Sequence, residues 1–514
     1  MNNLIRERTT LLSITLVLST YCSLFAGDVR HRLIVLADMG NEPDEEQQMT
    51  HMMVCSNEFD IDALIAVTGK YIRPSLKDPY HQVTHPELFH KIIDAYEEVL
   101  PNLKKHAEGW QYPDDLRQRV AAGQKGYGMY DVGAGKSSQG SELIIRAVQK
   151  DDPRPIWVVV NAGSNTLAQA LRDFRASHTP KEVEAFIAKL RVFENGAQDN
   201  AGAWITSTFP TIFWIRSNYQ TYAYGGPGGV DGSLTRNIGP HYWKPYEYST
   251  KGQNDWLREH VMTGHGALGD IFPERRWKPN GQYGFMEGGG TLPWMGLVNK
   301  GLFDIDSPHW GGWSGRYSSE KVACFWSRHG DIRVDEEKVA PFYTYREVSD
   351  YWIDTENNET LSGDYVPAWR WRKAMYSDFI CRMDWCVKSY ENANHHPKAV
   401  FEGDDGDDVM RVTTLPGDTI QLDASGSKDP DNDPIHISWW QYLEAGTYAG
   451  KVDIPNPNQV KTQVVIPTGA AGTQIHIILE IHDQNAISSL FDYRRIVIDV
   501  EHMYNHNLLF KQKN

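Results

Sequence analysis

The stretch "IVLADMGNEPDEEQQM", residues 34–49, joins the pattern of a buried strand to a dense run of negative charge. An apolar run ends at Asp38, and four of the next eight residues are acidic. Pro43 suits the first turn of a helix, where the helix dipole also favours carboxylates. A carboxylate that ends a strand and faces others across a turn is costly unless a cation lies between them. The stretch predicts a strand, a turn and a helix, with either an acidic helix cap or a divalent cation site.

Fully apolar strands alternate with helical patterns up to about residue 390. The strand-like segments are "HRLIVLADM", "IDALIAVTG", "PIWVVVNAG", "KLRVFENG" and "TIFWIRSN". This alternation is typical of a parallel sheet covered on both faces by helices. We therefore expect residues 28–390 to form an α/β domain with an open, mostly parallel sheet flanked by helices. Ligands of such sheets bind beyond the carboxyl ends of the strands.

The pattern changes to alternation by twos near the C-terminus. Residues 399–502 are rich in Gly, Pro and Asp turns and contain no amphipathic helix, which predicts an all-β, immunoglobulin-like sandwich. Residues 391–398 are interpreted as a linker in which His395 and His396 are solvated. Residues 503–514 are interpreted as a tail.

The first 26 residues resemble an export signal, because basic residues precede the short apolar run "LLSITLVLSTYCSLFA". That run is too short to favour a spanning helix. We expect a secreted or periplasmic protein with no membrane association after cleavage. Such a compartment permits disulfides, but the five-residue spacing of Cys381 and Cys386 matches no zinc pattern, and buried free thiols are the preferred interpretation.

The net charge of the chain is −16, with 40% hydrophobic and 23% charged residues. This charge argues against non-specific nucleic-acid binding, which requires a surplus of Lys and Arg. The chain also has 17 Trp and 25 Tyr, whose flat faces either stack on sugar rings or fill cores. Trp439 and Trp440 are consecutive on a strand, so one should face the core and the other should face outward or into a domain interface.

Three further segments place amide and carboxylate side chains where strands end. The candidate polar residues of these segments are Asn161, Asn165, Glu194, Asn195, Gln198, Asp199, Asn200 and Glu287. Because the carboxyl ends of parallel strands share one edge, these side chains are expected to form a common pocket with Asp38, against the alternative of independent caps and turns. An oxygen-only ligand set points to calcium, with magnesium not excluded.

The order of these segments resembles that of the nucleoside hydrolases, whose first strand ends in an aspartate-rich motif that binds calcium and activates water. More closely, "NEPDEEQ", "NTLAQAL", "QDNAGAW" and "GGWSGRY" resemble a group of secreted bacterial proteins described as cellulose-binding. Those proteins combine a nucleoside-hydrolase-like domain with a small C-terminal sandwich. The resemblance covers nearly the whole mature chain and implies the fold more firmly than the activity.

The resemblance implies roles for individual residues. Asp38 matches the bidentate calcium ligand, Asp44 the aspartate that deprotonates the attacking water, and Glu45 the next metal ligand. Asn165 falls near the position whose backbone carbonyl binds calcium, Gln198 and Asn200 fall where the family holds sugar hydroxyls, and Glu287 falls near the last metal-binding carboxylate. Asn161 and Asp199 are expected as further substrate contacts because of their place at the strand ends.

The sequence departs from the nucleoside hydrolase pattern at three places. The first Asp of the motif is Leu36 here, and two extra residues separate Gly40 from Asp44. The His that precedes the last ligand in many nucleoside hydrolases is Met286 here. Purine and pyrimidine nucleosides are therefore doubtful substrates.

Three functions follow as hypotheses. The first is an exported, calcium-dependent hydrolase of N- or O-glycosidic bonds, with Asp44 as general base and His309 as a candidate for the residue that helps the leaving oxygen or nitrogen depart. In this hypothesis Trp310 and Trp313 form a sugar platform, although an ordinary packed loop and a structural His309 are the alternatives. The second is a carbohydrate-binding protein without chemistry, and the third, disfavoured by Met286, is a true nucleoside hydrolase. A homo-oligomer is left open.

Overall fold

An eight-stranded sheet organises the first part of the chain in the computed structural model, which describes residues 30–224, 257–273, 289–299, 301–324, 342–355, 358–486 and 488–502. Its strands are β1 (His31–Ala37), β2 (Phe59–Ala66), β3 (Val120–Ala122), β4 (Ile156–Val160), β5 (Leu190–Asn195), β6 (Phe213–Ser217), β7 (Val322–Ala323) and β8 (Tyr343–Arg346). They lie in the order β3-β2-β1-β4-β5-β6-β8-β7. Every pair is parallel except β7 with β8, as the alternating pattern predicted.

Helices cover both faces of this sheet. The α-helices of the described residues are α1 (Pro43–Val54), α2 (Glu87–Leu103), α3 (Pro113–Gln118), α4 (Gln139–Gln149), α5 (Asn165–Ser177), α6 (Pro180–Ala188), α7 (Ala201–Thr208), α8 (Gly266–Ile271), α9 (Leu292–Met295), α10 (Val366–Trp369) and α11 (Arg372–Trp385). Along β1, Leu33 and Val35 enter a core shared with α1, α2 and α11, whereas Ile34 and Leu36 enter a core shared with α4 to α7. Because β1 is buried on both faces, it is apolar at every position from 33 to 37.

The C-terminal part is all-β. Its strands are β11 (Met410–Thr414), β12 (Thr419–Asp423), β13 (Ile435–Gln441), β14 (Lys461–Val465), β15 (Gln474–Asp483) and β16 (Phe491–Val500), and a hairpin of β9 (Asp350–Asp354) and β10 (Glu359–Gly363) precedes them. A four-stranded sheet has the order β11-β16-β15-β13, and β12 pairs with β14. Trp439 is buried in the core of this domain, whereas Trp440 lies on the opposite face of its strand and is partly exposed. The alternation predicted for the two tryptophans is confirmed.

The two domains pack tightly against each other. The Arg316 guanidinium donates to one carboxylate oxygen of Asp350 at 2.7 Å, and the hydroxyl of Tyr442, from the C-terminal domain, donates to the other at 2.6 Å. Arg495 donates to the carbonyl of Gly311 at 2.8 Å. Tyr442 and Tyr493 belong to the same buried cluster as the core of the first domain. The domain arrangement is therefore held by buried contacts as well as by the connecting segment.

The segment predicted as a solvated linker is packed between the domains. His395 is buried, and its ring nitrogens lie 3.0 Å from the Asp431 carboxylate and 3.0 Å from the ring of His106. His396 forms an ion pair of 2.8 Å with Asp378. The prediction that both histidines are solvated is wrong, because the polar composition of 391–398 reflects partners in neighbouring elements rather than water.

The four cysteines among the described residues are buried free thiols, as the spacing of Cys381 and Cys386 indicated. Among the residues that the structure describes, no helix is long and apolar enough to cross a membrane. The predicted signal peptide and tail lie outside the described residues.

Candidate functional site

The register of the parallel strands brings several polar residues to one edge of the sheet. The N–H of Asn161 donates to the carbonyl of Leu36 at 2.9 Å, so Asn161 after β4 lies beside Asp38 after β1. The N–H of Val67 donates to the carbonyl of Ala37 at 2.9 Å, which places Thr68 on the other side of β1. We call Asp38, Asp44, Glu45, Asn161 and Asn165 the strand-end cluster.

Carboxyl groups from β1 and α1 meet in the strand-end cluster. Asp38 is fully buried and Glu45 is nearly so. The Asp38 carboxyl lies within hydrogen-bonding reach of Glu45, and that of Glu45 lies within reach of Asp44. Apart from Glu45 and the backbone N–H of Asp38 itself, neither oxygen of Asp38 has a hydrogen-bond partner among the described residues. Glu45 Oε2 likewise has none among them.

Burial and mutual repulsion make this arrangement unfavourable when all the carboxyls are ionised. Burial, followed by the charge of Asp44, raises the pKa of Asp38 to about 7. The same two causes raise the pKa of Glu45 well above its usual range. Within the described residues, Asp38 and Glu45 form no ion pair with Lys or Arg. The pair therefore retains protons near neutral pH unless another cation replaces them.

A hard divalent cation fits the oxygen atoms of the strand-end cluster. Besides the carboxylates, the side-chain oxygens of Asn161 and Asn165 are buried and lack partners among the described residues. Calcium takes six to eight oxygen ligands, including carboxylates and amide oxygens, and magnesium also prefers oxygen. Asp38 and Glu45 would hold the cation, with the two amide oxygens at the same edge. Glu287, the predicted last ligand, lies outside the described residues.

Gln48 is a further member of this edge that the sequence interpretation missed. Its side-chain oxygen accepts a hydrogen bond of 2.9 Å from Asn161 Nδ2. The backbone of Gly290 closes over this pair, since a Cβ there would lie 2.4 Å from Gln48 Nε2 and 2.6 Å from Asn161 Nδ2. Gln48 is four residues after Asp44 on α1, a spacing that puts both on one helix face. That spacing is the sequence signal from which Gln48 could have been predicted to lie near the site.

Gln198 supports the site rather than pointing into it. Its side-chain oxygen accepts from the N–H of Lys70 at 3.1 Å, and its amide group donates to the carbonyl of Asn161 at 3.1 Å. Asn200 accepts from the N–H of Met129 at 2.9 Å and remains partly exposed. Both ends of the buried Gln198 amide group thus bond to backbone, and its predicted contact with a sugar stays a prediction. Asn200 stays a candidate.

Asp199 is likewise fully buried and fixes two helix starts. One carboxylate oxygen accepts from the N–H of Asn165 at 3.1 Å. The other accepts from the N–H of Ala201 at 2.9 Å and from the Ser164 hydroxyl at 3.1 Å. Burial raises the pKa of Asp199 to about 6. In the structure it positions the first residue of α5, which carries one of the orphan amide oxygens, and its role as a substrate contact stays a prediction.

His309 lies at the domain interface, toward the opposite edge of the sheet. Asp306, three residues earlier, pairs with Arg191 at the start of β5, whereas the strand-end cluster lies where the strands finish. Burial and the nearby guanidinium of Arg316 lower the pKa of His309. The structure therefore does not bring His309 together with the strand-end cluster, and its assistance to the leaving group stays a prediction.

Trp310 and Trp313 are also part of the interface. Both are 2% exposed, and Trp310 packs edge-on against His476 at 5.1 Å, under the guanidinium of Arg411. The predicted sugar platform is wrong for these two tryptophans. The "GGWSGRY" motif is explained by packing, since a Cβ on Gly311 would lie 2.6 Å from the Tyr442 hydroxyl.

A second cluster of potential metal ligands occurs in the core. His51, Cys55 and Asp378 offer ligand atoms within 4.8 Å of one another. Burial favours protonation of Asp378, but the Arg382 guanidinium and His396 hold its pKa below the usual range. Because Asp378 already accepts hydrogen bonds from Arg382 and pairs with His396, this cluster is satisfied by protein cations.

An open parallel α/β sheet with an oxygen-rich acidic cluster beyond its carboxyl edge defines a nucleoside-hydrolase-like protein. Residues 32–317 match the family "Cellulose-binding Sde182, nucleoside hydrolase-like domain", and residues 419–500 match "Cellulose-binding protein Sde0182, C-terminal domain". The chain belongs to this family.

Among solved structures, a nucleoside hydrolase-related hypothetical protein from Saccharophagus degradans, associated with carbohydrate metabolism, is 36% identical to the chain. The match covers 92% of this chain and 100% of that one, with a TM-score of 0.76. An endo-beta-1,4-mannanase from Thermotoga petrophila matches at 10% identity with a TM-score of 0.17, too low to indicate a common fold. The comparison with curated proteins gave no match.

Proposed function

We propose that the chain binds a carbohydrate or glycoside at the strand-end cluster, with a divalent cation, calcium before magnesium, held by Asp38 and Glu45. The observation that carries this proposal is the pair of buried Asp38 oxygens, which have no cationic partner among the described residues and contact there only the Glu45 carboxyl and the N–H of Asp38 itself. A buried carboxylate pair without a counter-ion is unfavourable, and a bound cation removes that cost. The description of the family as cellulose-binding supports a carbohydrate as the ligand.

The neighbouring amides supply directional groups for such a ligand. The Asn161 side-chain oxygen and the Asn165 side-chain oxygen are acceptors at the same edge as the carboxylates. Sugar hydroxyls donate to amide and carboxylate oxygens and also bind calcium directly. Thr68 and Gln48 hold the two asparagines, because Thr68 Oγ1 accepts from Asn165 at 3.3 Å and Gln48 accepts from Asn161. The cluster is thereby organised before any ligand arrives.

The test is calorimetry with calcium on the mature protein, followed by oligosaccharide titration with calcium or with chelator. Asp38→Asn keeps the size of the side chain but removes a ligand charge, and it should abolish calcium binding. Glu46→Gln is the matched control, since Glu46 lies on the same helix turn but pairs with Lys91 at 3.3 Å. Equal calcium binding by wild type and Asp38→Asn would refute the cation site.

A second function, hydrolysis of a glycosidic bond, is favoured by one observation. Asp44 lies beside Glu45 at the start of α1, where a general base is placed in a metal-assisted hydrolase. A bound divalent cation lowers the pKa of water and thereby makes it a better nucleophile. Asp44 would then accept the proton of that water, while Asn161 and Asn165 hold the sugar. Chelator-sensitive product release from a panel of plant and algal oligosaccharides and nucleosides tests this function.

A further inference from the structure

A wide groove separates the C-terminal sheet from the β9–β10 hairpin and the adjoining residues of α10 and α11. Its volume is about 710 Å³, within the range of ligand-binding clefts. We call it the interdomain groove, and the lining residues used below are Tyr351, Trp352, Trp369, Arg370, Trp440 and Glu480. None of them belongs to the strand-end cluster.

One wall of the interdomain groove is the outer face of the four-stranded sheet. Side chains of a strand alternate between faces, so burial of Trp439 in the sandwich core turns Trp440 and Ser438 toward the groove. Ser438 pairs across the ladder with Glu480, and Glu480 pairs with Tyr493. This row places the Ser438 hydroxyl and the Glu480 carboxyl side by side on a regular scaffold, backed by the buried ring of Tyr493.

The aromatic side chains of the groove are held in place. The Arg370 guanidinium lies over the ring of Trp440 at 4.9 Å, and the Trp371 ring lies 5.9 Å away. On the other wall, Tyr351 is 54% exposed, and Trp352 and Trp369 are partly exposed. Rigid, partly exposed rings offer apolar area at little cost in conformational entropy, and their polar edges tolerate water. Such rings suit the C–H faces of pyranose sugars.

The charges of the groove indicate a neutral ligand. Four basic and three acidic side chains line it, and they nearly cancel although the whole chain carries −16. Burial raises the pKa of Glu480 to about 6, while Arg370 and Lys373 act in the opposite direction. A balanced, hydrogen-bonding surface interleaved with aromatic rings has no preference for an anion or a cation. It matches a chain of uncharged hydroxyl-bearing rings.

We propose that the interdomain groove is a second carbohydrate-binding site, which takes a neutral oligosaccharide chain. Sugar rings stack on the aromatic side chains of the opposite wall and pack against the exposed part of Trp440, and hydroxyls bond to Arg370 and Glu480. The site requires no divalent cation, because the acidic and basic side chains that line it nearly cancel in charge. It therefore goes beyond the function proposed for the strand-end cluster, and the two proposals are tested independently.

The experiment is calorimetry with cellohexaose, mannohexaose and laminarihexaose in the presence of chelator. The chelator removes the divalent cation on which carbohydrate binding at the strand-end cluster is proposed to depend. Wild type should bind at least one of the three. Trp440→Ala and Trp352→Ala should each weaken that binding about tenfold, the scale of one aromatic contact. Asp38→Asn should bind as wild type does. Tyr112→Ala is the matched control, because Tyr112 is an aromatic residue of the first domain that is 64% exposed and does not line the groove.

Thermal unfolding of each variant shows whether it is folded. If loss of Trp440 disturbs the domain interface, Trp352→Ala tests the groove from its opposite wall. Absence of binding to all three hexasaccharides by wild type overturns the proposal. Unchanged affinity in both folded tryptophan variants overturns it as well. Loss of chelator-resistant binding in Asp38→Asn would also contradict it, because the ligand would then occupy the strand-end cluster.

Discussion

Asp38 and Glu45, seven positions apart in the chain, share a buried contact between their carboxyl groups at the end of β1 and the start of α1. Burial and the neighbouring charge of Asp44 raise the pKa of both groups. Two carboxyls in that position hold a proton or a cation, but they do not remain as two bare anions. The following predictions use this relationship and the residues that surround it.

The stability of the cation-free protein should decrease as pH rises from about 4 to about 7. The unfolded Asp38 carboxyl titrates near 3.8 and the folded one near 7, so the folded state binds more protons in this window. Ionisation above the folded pKa removes the stabilisation, and calcium should restore it. The gain in melting temperature on adding calcium should therefore be larger at about pH 8 than at about pH 5. In Asp38→Asn the calcium effect and its dependence on pH should be lost, and an equal calcium effect at both pH values in the wild type would contradict the prediction.

Asp44→Asn should separate catalysis from binding if the strand-end cluster is catalytic. With a glycoside that the wild type hydrolyses, turnover should decrease about 100-fold or more, because the amide accepts no proton from water. Affinity for the same glycoside, measured by calorimetry, should change little. Glu46→Gln, on the same helix turn, should leave turnover unchanged. Full turnover in Asp44→Asn would remove Asp44 from the proposed mechanism.

Arg216→Met should destabilise the fold near the site. Arg216 Nε donates to Glu194 at 2.7 Å, both side chains are fully buried, and Glu194 also accepts from the Trp214 indole at 3.0 Å. Removing the guanidinium leaves a buried carboxylate unpaired, which costs about 3–5 kcal/mol. Chemical denaturation measures this loss.

Arg146→Ala provides the comparison for Arg216→Met. Arg146 faces Glu142 one helix turn away at 3.9 Å, and both side chains are more than half exposed. Exposed pairs of this kind contribute about 0.3–0.5 kcal/mol. A similar loss of stability in the two variants would show that the buried Glu194–Arg216 pair contributes no more to stability than an exposed ion pair does.

Gly290→Ala should impair ligand binding more than it impairs folding. The new methyl group would lie 2.4 Å from Gln48 Nε2 and 2.6 Å from Asn161 Nδ2, so one of these amides must move. We expect affinity for calcium and for the carbohydrate to fall at least about tenfold, since small displacements of positioned groups have effects of this size or more. Gly469→Ala is the control, because a Cβ there meets nothing within 4 Å. Wild-type affinity in Gly290→Ala would exclude Gln48 and Asn161 from the site.

The sequence indicated the architecture well because the relevant signals are local. Strand β1 is apolar from Leu33 to Ala37, directly before Asp38, and Pro43 with three following acids starts α1 as predicted. The alternation of Trp439 and Trp440 also followed from strand geometry alone. These features depend on backbone periodicity, which a single sequence reports directly.

Site residues were predicted less evenly, because hydrogen bonding across the fold decides their roles. Asp38, Asn161 and Asn165 have buried oxygens without described partners at one edge, consistent with a shared site. Gln198 and Asp199 carry the same chemical groups, yet their polar atoms are hydrogen-bonded to backbone N–H groups and carbonyls of other segments. A sequence shows which groups exist but not which of them are already satisfied.

By itself, the sequence determined an α/β sheet with acidic and amide side chains at its strand ends, followed by an all-β domain. Only the tertiary structure decided that His309, Trp310 and Trp313 serve the domain interface, and that Trp440 faces a groove between the domains. The physical reason is that periodic burial is encoded in neighbouring residues. In contrast, exposure at an interface depends on which surfaces of two separate domains meet.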